Sequence, residues 1–476
     1  MALPENKTKI VCTIGPASSS QEVIEQMIDA GMNIARLNFS HGNFDEHKKV
    51  IQNLIRASRK VGKRITIMAD LPGPKIRIGH ISNEPAHLSP GDIFILTTRT
   101  VLGNASMASV TFERLPGVVK PGNILFLNDG IIQLEVVKVS DVDVTCKVIV
   151  GGELRSRKGL NLPNIDLGIG AFTKRDNECL KFAIENGVDA VSQSFVESKA
   201  DIVSVREAAK SYGRVPFIIA KIERSGALKN IDDILEEADG IMIARGDLGV
   251  EIPIEQISVE QKKLMRKANM SGKPVITATQ MLESMTENSR PTRAEATDVA
   301  NAILDGTDCV MLSGESALGK FPVESTAMLA KIARAIEPFR PGYRVREALK
   351  VIVTGNEITS GDLISLSVES ALQQMPVGAV LIPSHSGGTA RRLTRLRLPI
   401  WIAAIASQEA TCQALQFSYG IYPIFEPENQ YDWTIYAKKL VKLHDLQGDF
   451  VILIEGPSPR NPKANHKLEI VNVKNM

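Results

Sequence analysis

Residues 216–247 read PFIIAKIERSGALKNIDDILEEADGIMIARGD. Pro216–Glu223 is a short apolar run, a stretch of helical periodicity follows, and Gly240–Asp247 is a second apolar run. That is one strand–helix–strand unit. The same pattern extends in both directions through Ile10–Thr13, Ala35–Ser40, Ile65–Asp70, Asp189–Phe195, Pro274–Gln280 and Cys309–Glu315. Eight such units predict an α/β fold built on a (β/α)8 TIM barrel, whose chemistry lies at the C-terminal ends of the strands. Those ends carry Asn38, Ser40, Asp70, Ser194, Lys221, Glu223, Asp247, Thr279, Ser313 and Glu315, a set suited to phosphate and metal.

The rhythm breaks after Asp70. From about residue 75 to 163 short strands alternate with turns at Pro90-Gly91-Asp92, Pro121-Gly122-Asn123 and Asn128-Asp129-Gly130. The last joins Ile124–Leu127 to Ile131–Val137 as a hairpin. This predicts a small inserted β-barrel lid at a βα loop, where it can cover the site. The barrel resumes near Phe172, with Thr173 as N-cap of a helix toward Asn186 and Gly187 at its C′ position. A helix over Val323–Ile336 closes the eighth unit, ended by Pro338 and Pro341. Beyond about residue 345, Asp362–Gln374 and Thr389–Arg397 read as helices. Ala379–Ile382, Ile400–Ile405, Ile421–Phe425, Phe450–Glu455 and Leu468–Val473 read as strands of an open α/β sheet. The expected divisions are 1–73 and 164–342 for the barrel, 74–163 for the lid and 343–476 for the C-terminal domain.

The formal charge of +2 and pI near 8.1 argue against nucleic acid or an anionic membrane surface, so anion binding must come from local placement. Five scattered cysteines without CxxC spacing read as buried thiols in a reducing compartment. No signal-peptide core and no apolar run of membrane-spanning length is present, so a cytoplasmic, soluble protein is expected.

Alternation along Lys221-Ile222-Glu223 sends the lysine and the carboxylate to one side. The pair suits a phosphoryl group with a divalent cation, or an ordinary salt bridge. Asp247, in Ala244-Arg245-Gly246-Asp247-Leu248-Gly249, can join Glu223 on one Mg²⁺, while Gly246 permits close backbone approach. A helical turn beginning there would offer N–H groups to a carboxylate or phosphate; otherwise it is a tight strand–helix turn. Thr279 can donate to a substrate carboxylate or relay a proton, or is simply a strand threonine. Ser313 and Glu315 can organise a water chain. Arg36, Asn38 and Ser40 share one side of strand two, with Arg36 suited to phosphate or to a rim salt bridge. Lys75 and Arg77 add positive charge to the same mouth; His41 has a capping alternative. Ser384-His385-Ser386-Gly387-Gly388-Thr389 can cradle a phosphate on backbone N–H groups or simply open a helix, with Arg391, Arg392 and Arg395 close in sequence.

Taken in order, the strings TKIVCTIGPAS, NIARLNFSHG, DLPGPKIR, KGLNLP, AKIE, ARGDLGVE, TATQMLESM, RPTRAEATDVANAILDGTDCVMLSGESA and SHSGGTA closely resemble the pyruvate kinase family over the whole chain. The resemblance implies phosphoryl transfer from phosphoenolpyruvate to ADP, giving pyruvate and ATP, in the last step of glycolysis. It implies Lys221 at the transferring phosphoryl group, Glu223 and Asp247 as Mg²⁺ (or Mn²⁺) ligands, and Gly246, Asp247 and Thr279 at the substrate carboxylate. Arg36 and Ser194 would face phosphate; Asn38, Phe39, Ser40 and His41, with Arg77 and Lys158, would form the nucleotide region. Protonation of the enolate would run through Thr279 and water near Ser313 and Glu315. The resemblance also implies a homotetramer and an effector loop at Ser384, Ser386, Gly387, Gly388 and Thr389.

Potassium-dependent members usually read DTKGPEIRT, but Asp70–Ile78 here reads DLPGPKIRI. This resembles the lysine-bearing, potassium-independent bacterial type: the Lys75 ammonium would replace K⁺ at a residual site of Asn38, Ser40 and Asp70. The tail Gly456–Pro462 departs from the usual effector loop, which favours a sugar monophosphate or nucleotide effector over a bisphosphate. Two other readings are a metal-dependent carbon–carbon barrel enzyme, which would not need ADP, and a catalytically silent sugar-phosphate sensor, which would not need Lys221, Glu223 and Asp247.

Overall fold

The computed structural model describes residues 3–340, 359–427, 432–457 and 465–474. Eight parallel strands close a barrel in chain order: Lys9–Thr13, Ile34–Asn38, Thr66–Leu71, Ala190–Gln193, Phe217–Ile222, Gly240–Ala244, Val275–Ala278 and Cys309–Leu312. The eighth pairs back to the first through Lys9↔Cys309. Alternation divides the strand residues between two cores: Val11, Ile34, Met68, Met242 and Met311 fill the lower interior, while Ile10, Cys12, Leu37 and Ile218 pack under the helices. Helix starts are fixed by side-chain caps. Asn43 with Glu46, Thr173 with Asp176 and Thr292 with Glu295 each form a reciprocal capping box.

Several strands stop two or three residues short of the sequence expectation. Strand six ends at Ala244, because Arg245 opens the helix Arg245–Glu251; Asp247 therefore lies in a first helical turn. Strand seven ends at Ala278, where Thr279 and Gln280 turn into the left-handed region at φ 70° and 53°. Strand eight ends at Leu312, with Glu315 in the helix Gly314–Ala317.

The insertion after strand three holds a six-stranded sheet and a two-stranded sheet over their own apolar core, with one short helix, Leu115–Val118. Its hairpin joins Ile124–Leu127 to Ile132–Val139. The tip glycine, Gly130, lies so close to Val250 on the helix Arg245–Glu251 that an added Cβ would meet that side chain at 3.2 Å.

In the C-terminal region, Ile421–Phe425, Trp401–Ala406, Val377–Ser384 and Phe450–Glu455 run parallel, and Lys467–Asn472 adds an antiparallel edge. Two helices there, Glu409–Leu415 and Trp433–His444, go beyond the sequence reading. Pro341, the boundary at 342/343 and residues 458–462 of the tail lie outside the described residues. All five cysteines are buried free thiols. No helix among the described residues is long and apolar enough to cross a membrane.

Candidate active site

At the C-terminal mouth of the barrel, strand five projects Lys221 and Glu223 inward. The Lys221 Nζ donates to Ser194 Oγ at 2.7 Å and lies 2.8 Å from Glu223 Oε1 and 3.3 Å from Asp70. Arg36 reaches the same Asp70 through Nε at 3.1 Å and through a closer Nη2 contact, and its Nη1 donates to Thr13 Oγ1 at 2.9 Å. Ser192 donates to the other Asp70 oxygen at 2.6 Å. Two cations and two carboxylates are thus buried together, and their charges cancel.

Burial pushes the Asp70 carboxyl up, but Lys221, Arg36 and the Ser192 hydroxyl outweigh it and hold it at about 2. Burial lowers the Lys221 ammonium, yet Asp70 and Glu223 raise it further, so it stays charged. Glu223 is displaced the opposite way from Asp70. Burial raises it, and the nearby Asp247 carboxylate adds to this despite Lys221. Its second oxygen accepts the Phe195 N–H at 2.7 Å. Glu223 and Asp247 are thus neighbouring like charges, with Lys221 offsetting Glu223, and both offer oxygen donors, which fits a hard divalent cation. Among the described residues no group of three or more His, Cys, Asp or Glu converges as a metal cage. Such an ion would take its other ligands from water and substrate oxygens.

Thr279 is a β-branched residue held at φ 70°, an uncommon and strained backbone state. Its hydroxyl accepts the Gly246 N–H at 2.8 Å and donates to Ala278 O at 2.6 Å. Gly246 is thus tied to Thr279, whereas an added Cβ there would meet Thr279 only in ordinary contact at 3.4 Å. Gly73 has the stricter need: at φ 65°, its Cβ would lie 2.8 Å from Phe195 and 3.0 Å from Ser194. A cleft of about 860 Å³ runs outward from this corner, lined by Lys75, Arg245, Asp247, Asp129 of the lid and Asp298.

Other expected residues fall differently. Both Glu315 oxygens accept backbone N–H groups, from Leu282 at 3.0 Å and Ser313 at 2.7 Å. Glu315 is a fully buried clamp between two loops, and Ser313 beside it is half-buried. The Phe39 ring is buried and packs with Phe44, Phe182 and His47. Asn38 and Asp70 are register partners, but Asn38 Oδ1 accepts the Ser40 N–H at 3.1 Å while Asp70 serves Arg36, Lys221 and Ser192. His41 is exposed; partial desolvation, then the charges of Arg77, Lys75 and Arg36, lower its pKa, so those cations share one mouth. Arg77 donates to Arg157 O at 2.9 Å, and the Lys158 carbonyl accepts the Ile78 N–H at 2.9 Å, both within the lid.

The Ser384–Thr389 loop lies on the C-terminal sheet, apart from the barrel mouth. Ser384 Oγ accepts the Gly387 N–H at 2.9 Å, Gly387 sits at φ 77°, Ser386 O accepts from Arg391, and the helix Gly388–Thr394 carries Thr389 in its first turn.

Thr13, Ser192, Arg224 and Arg245 escaped the sequence reading. Ser192 has the spacing of Ser194 on one strand face, a usable signal. Arg245 pairs with Asp298 at 2.7 Å and donates to Thr279 O at 2.8 Å, partners that no local pattern reveals.

The models of the pyruvate kinase barrel domain and of the pyruvate kinase alpha/beta domain match residues 5–326 and 344–471. A pyruvate kinase of Thermococcus litoralis is 47% identical over 461 residues, 96% of each chain. One from Thermotoga maritima is 38% identical over 453 residues, covering 94% of this chain and 96% of the relative. The crystal structure of a pyruvate kinase from Cryptosporidium parvum superposes with a TM-score of 0.90 at 34% identity, over 98% of this chain and 96% of that one. Matched in both domains and along nearly its whole length, the chain belongs to the pyruvate kinase family.

Proposed function

We propose that this enzyme transfers the phosphoryl group of phosphoenolpyruvate to ADP, with a divalent cation at Glu223 and Asp247 and without a requirement for K⁺. The observation that carries the reading is the Lys221 ammonium, held by Ser194, Glu223 and Asp70 at the barrel mouth. A β-phosphate oxygen of ADP forms the new bond to phosphorus as the bond from phosphorus to the enol oxygen breaks. Lys221 and Arg36 neutralise the transferring group, and Ser194 donates to it. Phosphoryl transfer rests on such positioning and charge neutralisation. A bound Mg²⁺ or Mn²⁺ would supply further charge neutralisation to the phosphoryl oxygens. Gly246, Asp247 and Thr279 form the corner for the substrate carboxylate, and Thr279 is the group closest in chemistry to the enolate's proton donor. Asn38, Ser40 and His41, with Arg77 and Lys158 from the lid, border the nucleotide.

The K⁺-independent, lysine-bearing subtype follows from Lys75. Its exposed side chain lines the same cleft as Asp247 and shares the mouth with Arg77, so a second monovalent cation would be repelled. Regulation by a sugar phosphate or nucleotide at Ser384, Ser386, Gly387, Gly388 and Thr389, in a homotetramer in the cytoplasm, completes the reading.

The test is pyruvate formation from phosphoenolpyruvate, ADP and Mg²⁺ in buffer free of K⁺ and NH₄⁺. Turnover should change less than about twofold when K⁺ is added, and Lys75→Glu should lose activity in K⁺-free buffer by about tenfold or more, the scale of one neutralising charge at such a site. Turnover that appears only with K⁺ overturns the subtype; none under either condition overturns the reaction.

A further inference from the structure

Strand four places a fully buried serine at the floor of the barrel mouth. Ser192 follows Ala190 by one step on the same strand face, and Ala190 belongs to the apolar interior with Met68, Ile219 and Met242. A hydroxyl at such a position is costly unless it is hydrogen-bonded. Parallel register sets it beside Asp70 of strand three, and its Oγ donates to Asp70 Oδ1 at 2.6 Å.

That bond begins a line of hydrogen bonds across the floor. Asp70 Oδ2 accepts from Arg36 Nε at 3.1 Å, and Arg36 Nη1 donates to Thr13 Oγ1 at 2.9 Å. Thr13 donates in turn to the Leu312 carbonyl at 2.9 Å. Lys221 stands beside this line. Its Nζ is 3.3 Å from each Asp70 oxygen, but 2.7 Å from Ser194 Oγ and 2.8 Å from Glu223 Oε1. Asp70 is therefore its loosest partner. Removing the Ser192 hydroxyl would leave Oδ1 facing the Lys221 ammonium with its charge unshared, and the ammonium would be drawn down onto it.

We propose that Ser192 is a positioning residue for phosphoryl transfer: it occupies one Asp70 oxygen, so that Lys221 keeps its reach toward the phosphoryl group. The role rests on the kinase reading above and acts through Asp70, since Ser192 itself lies below the reacting atoms. A group held ready in this way stabilises the transition state more than the bound substrate, so its loss falls on kcat and leaves KM for phosphoenolpyruvate nearly unchanged.

The test is steady-state pyruvate formation by wild type and three variants, in the buffer, with or without K⁺, that supports wild-type turnover. Alanine is close to serine in size and lacks the donor; threonine keeps the donor and adds a methyl group to a fully buried site; cysteine is a weak donor of intermediate size. Ser192→Ala should lower kcat about tenfold or more, the scale of a hydrogen bond to a charged group. Its KM for phosphoenolpyruvate and its Mn²⁺ affinity should stay within about threefold of wild type, because Glu223, Asp247 and Thr279 are untouched. Ser192→Thr should keep at least about a third of wild-type kcat, with Ser192→Cys between the two. A packing role gives the reverse order, with alanine tolerated best and threonine worst. That reverse order, a Ser192→Ala kcat within about twofold of wild type, or equal losses in all three variants overturns the role while leaving the kinase reading intact. No turnover by wild type in either buffer overturns the kinase reading and the role with it.

Discussion

Lys221 works at the residue scale because of what surrounds it. A lone buried ammonium would shed its proton, but Asp70 and Glu223 keep this one charged. The same neighbours compete for it, since Ser194, Glu223 and Asp70 all lie within 3.3 Å. An arriving phosphoryl group adds negative charge that the neutral cluster of Arg36, Lys221, Asp70 and Glu223 does not offset alone, which is where the proposed divalent ion would act. Lys221→Met should therefore lower kcat by about 10²–10³, the range for removing one preorganised stabilising contact. Glu223 and Asp247 remain in that variant, so Mn²⁺ titration should give an affinity within a few-fold of wild type. A kcat within tenfold of wild type would remove Lys221 from the phosphoryl position. Thr279 shows the complementary economy: a strained φ of 70° aims a hydroxyl at the Gly246 N–H, and strain of this kind gathers at functional sites.

At the scale of elements, the lid is joined to the barrel by two hinges, and each is pinned by a barrel side chain. The outgoing hinge gives the Gly73 N–H to Asp176 at 2.8 Å, the same Asp176 that completes the capping box of Thr173. On the return, Arg224 donates to the Ile165 carbonyl at 2.8 Å. Arg224 follows Glu223 directly, pairs with Glu197 at 2.6 Å and lies 3.8 Å from Glu251, the last residue of the helix that carries Asp247. One guanidinium thus links the lid, the Asp247 helix and the strand of the proposed metal ligand. Arg224→Met would leave Glu197 and Glu251 facing each other and release Ile165. We expect a loss of about 3 kcal/mol, as for breaking a buried pair, together with faster proteolysis at 162–171 and a raised KM for phosphoenolpyruvate. Equal hinge proteolysis and unchanged KM would reduce Arg224 to a packing residue. The barrel itself was legible, because eight apolar runs alternate with helical periods and alternation put Lys221 and Glu223 on one face. What was not legible was where each strand ended. Thr279 and Gln280 turn left-handed against their local preference, and Arg245 starts a helix that propensity does not mark. Nor could Arg224 be assigned, since its partners come from three other elements. The helix Glu409–Leu415 spans only seven residues, too few for a periodic signal.

On the scale of the whole molecule, chemistry and domain docking occupy opposite ends of one barrel. The C-terminal domain seals the lower end with Phe417, which stacks on Phe217 at 5.1 Å and joins the interior core of Val11, Met68 and Met311. Arg397 pairs with Asp308, whose Oδ1 also accepts the Tyr419 N–H at 2.9 Å, and Arg340 lies over the Tyr419 ring at 4.1 Å. The strands join the two ends, their lower residues touching this interface and their upper residues forming the mouth. Lys9, at the foot of strand one, is expected to make that interface sensitive to pH. It is 3% exposed, donates to the Ile421 carbonyl at 2.7 Å and lies 5.1 Å from the Trp401 ring, with Lys7 on the same ring. Burial lowers its pKa to about 8, although Cys309, Glu337 and Asp308 pull the other way. Below pH 8 the folded and unfolded chains both hold the proton, and the fold bears the full cost of a buried charge. Between about pH 8 and the ordinary value of 10.5, the folded chain releases the proton while the unfolded chain keeps it, so this group adds stability as pH rises. The neighbouring Cys309 thiol, pushed up by burial and eased by Lys9, opposes that trend; without Lys9 it is pushed up further, which also closes the gap at high pH. Lys9→Met should therefore melt higher than wild type at pH 7, with the gap closing toward pH 10. A gap of equal size at both pH values would mean that Lys9 is not the titrating group at the junction.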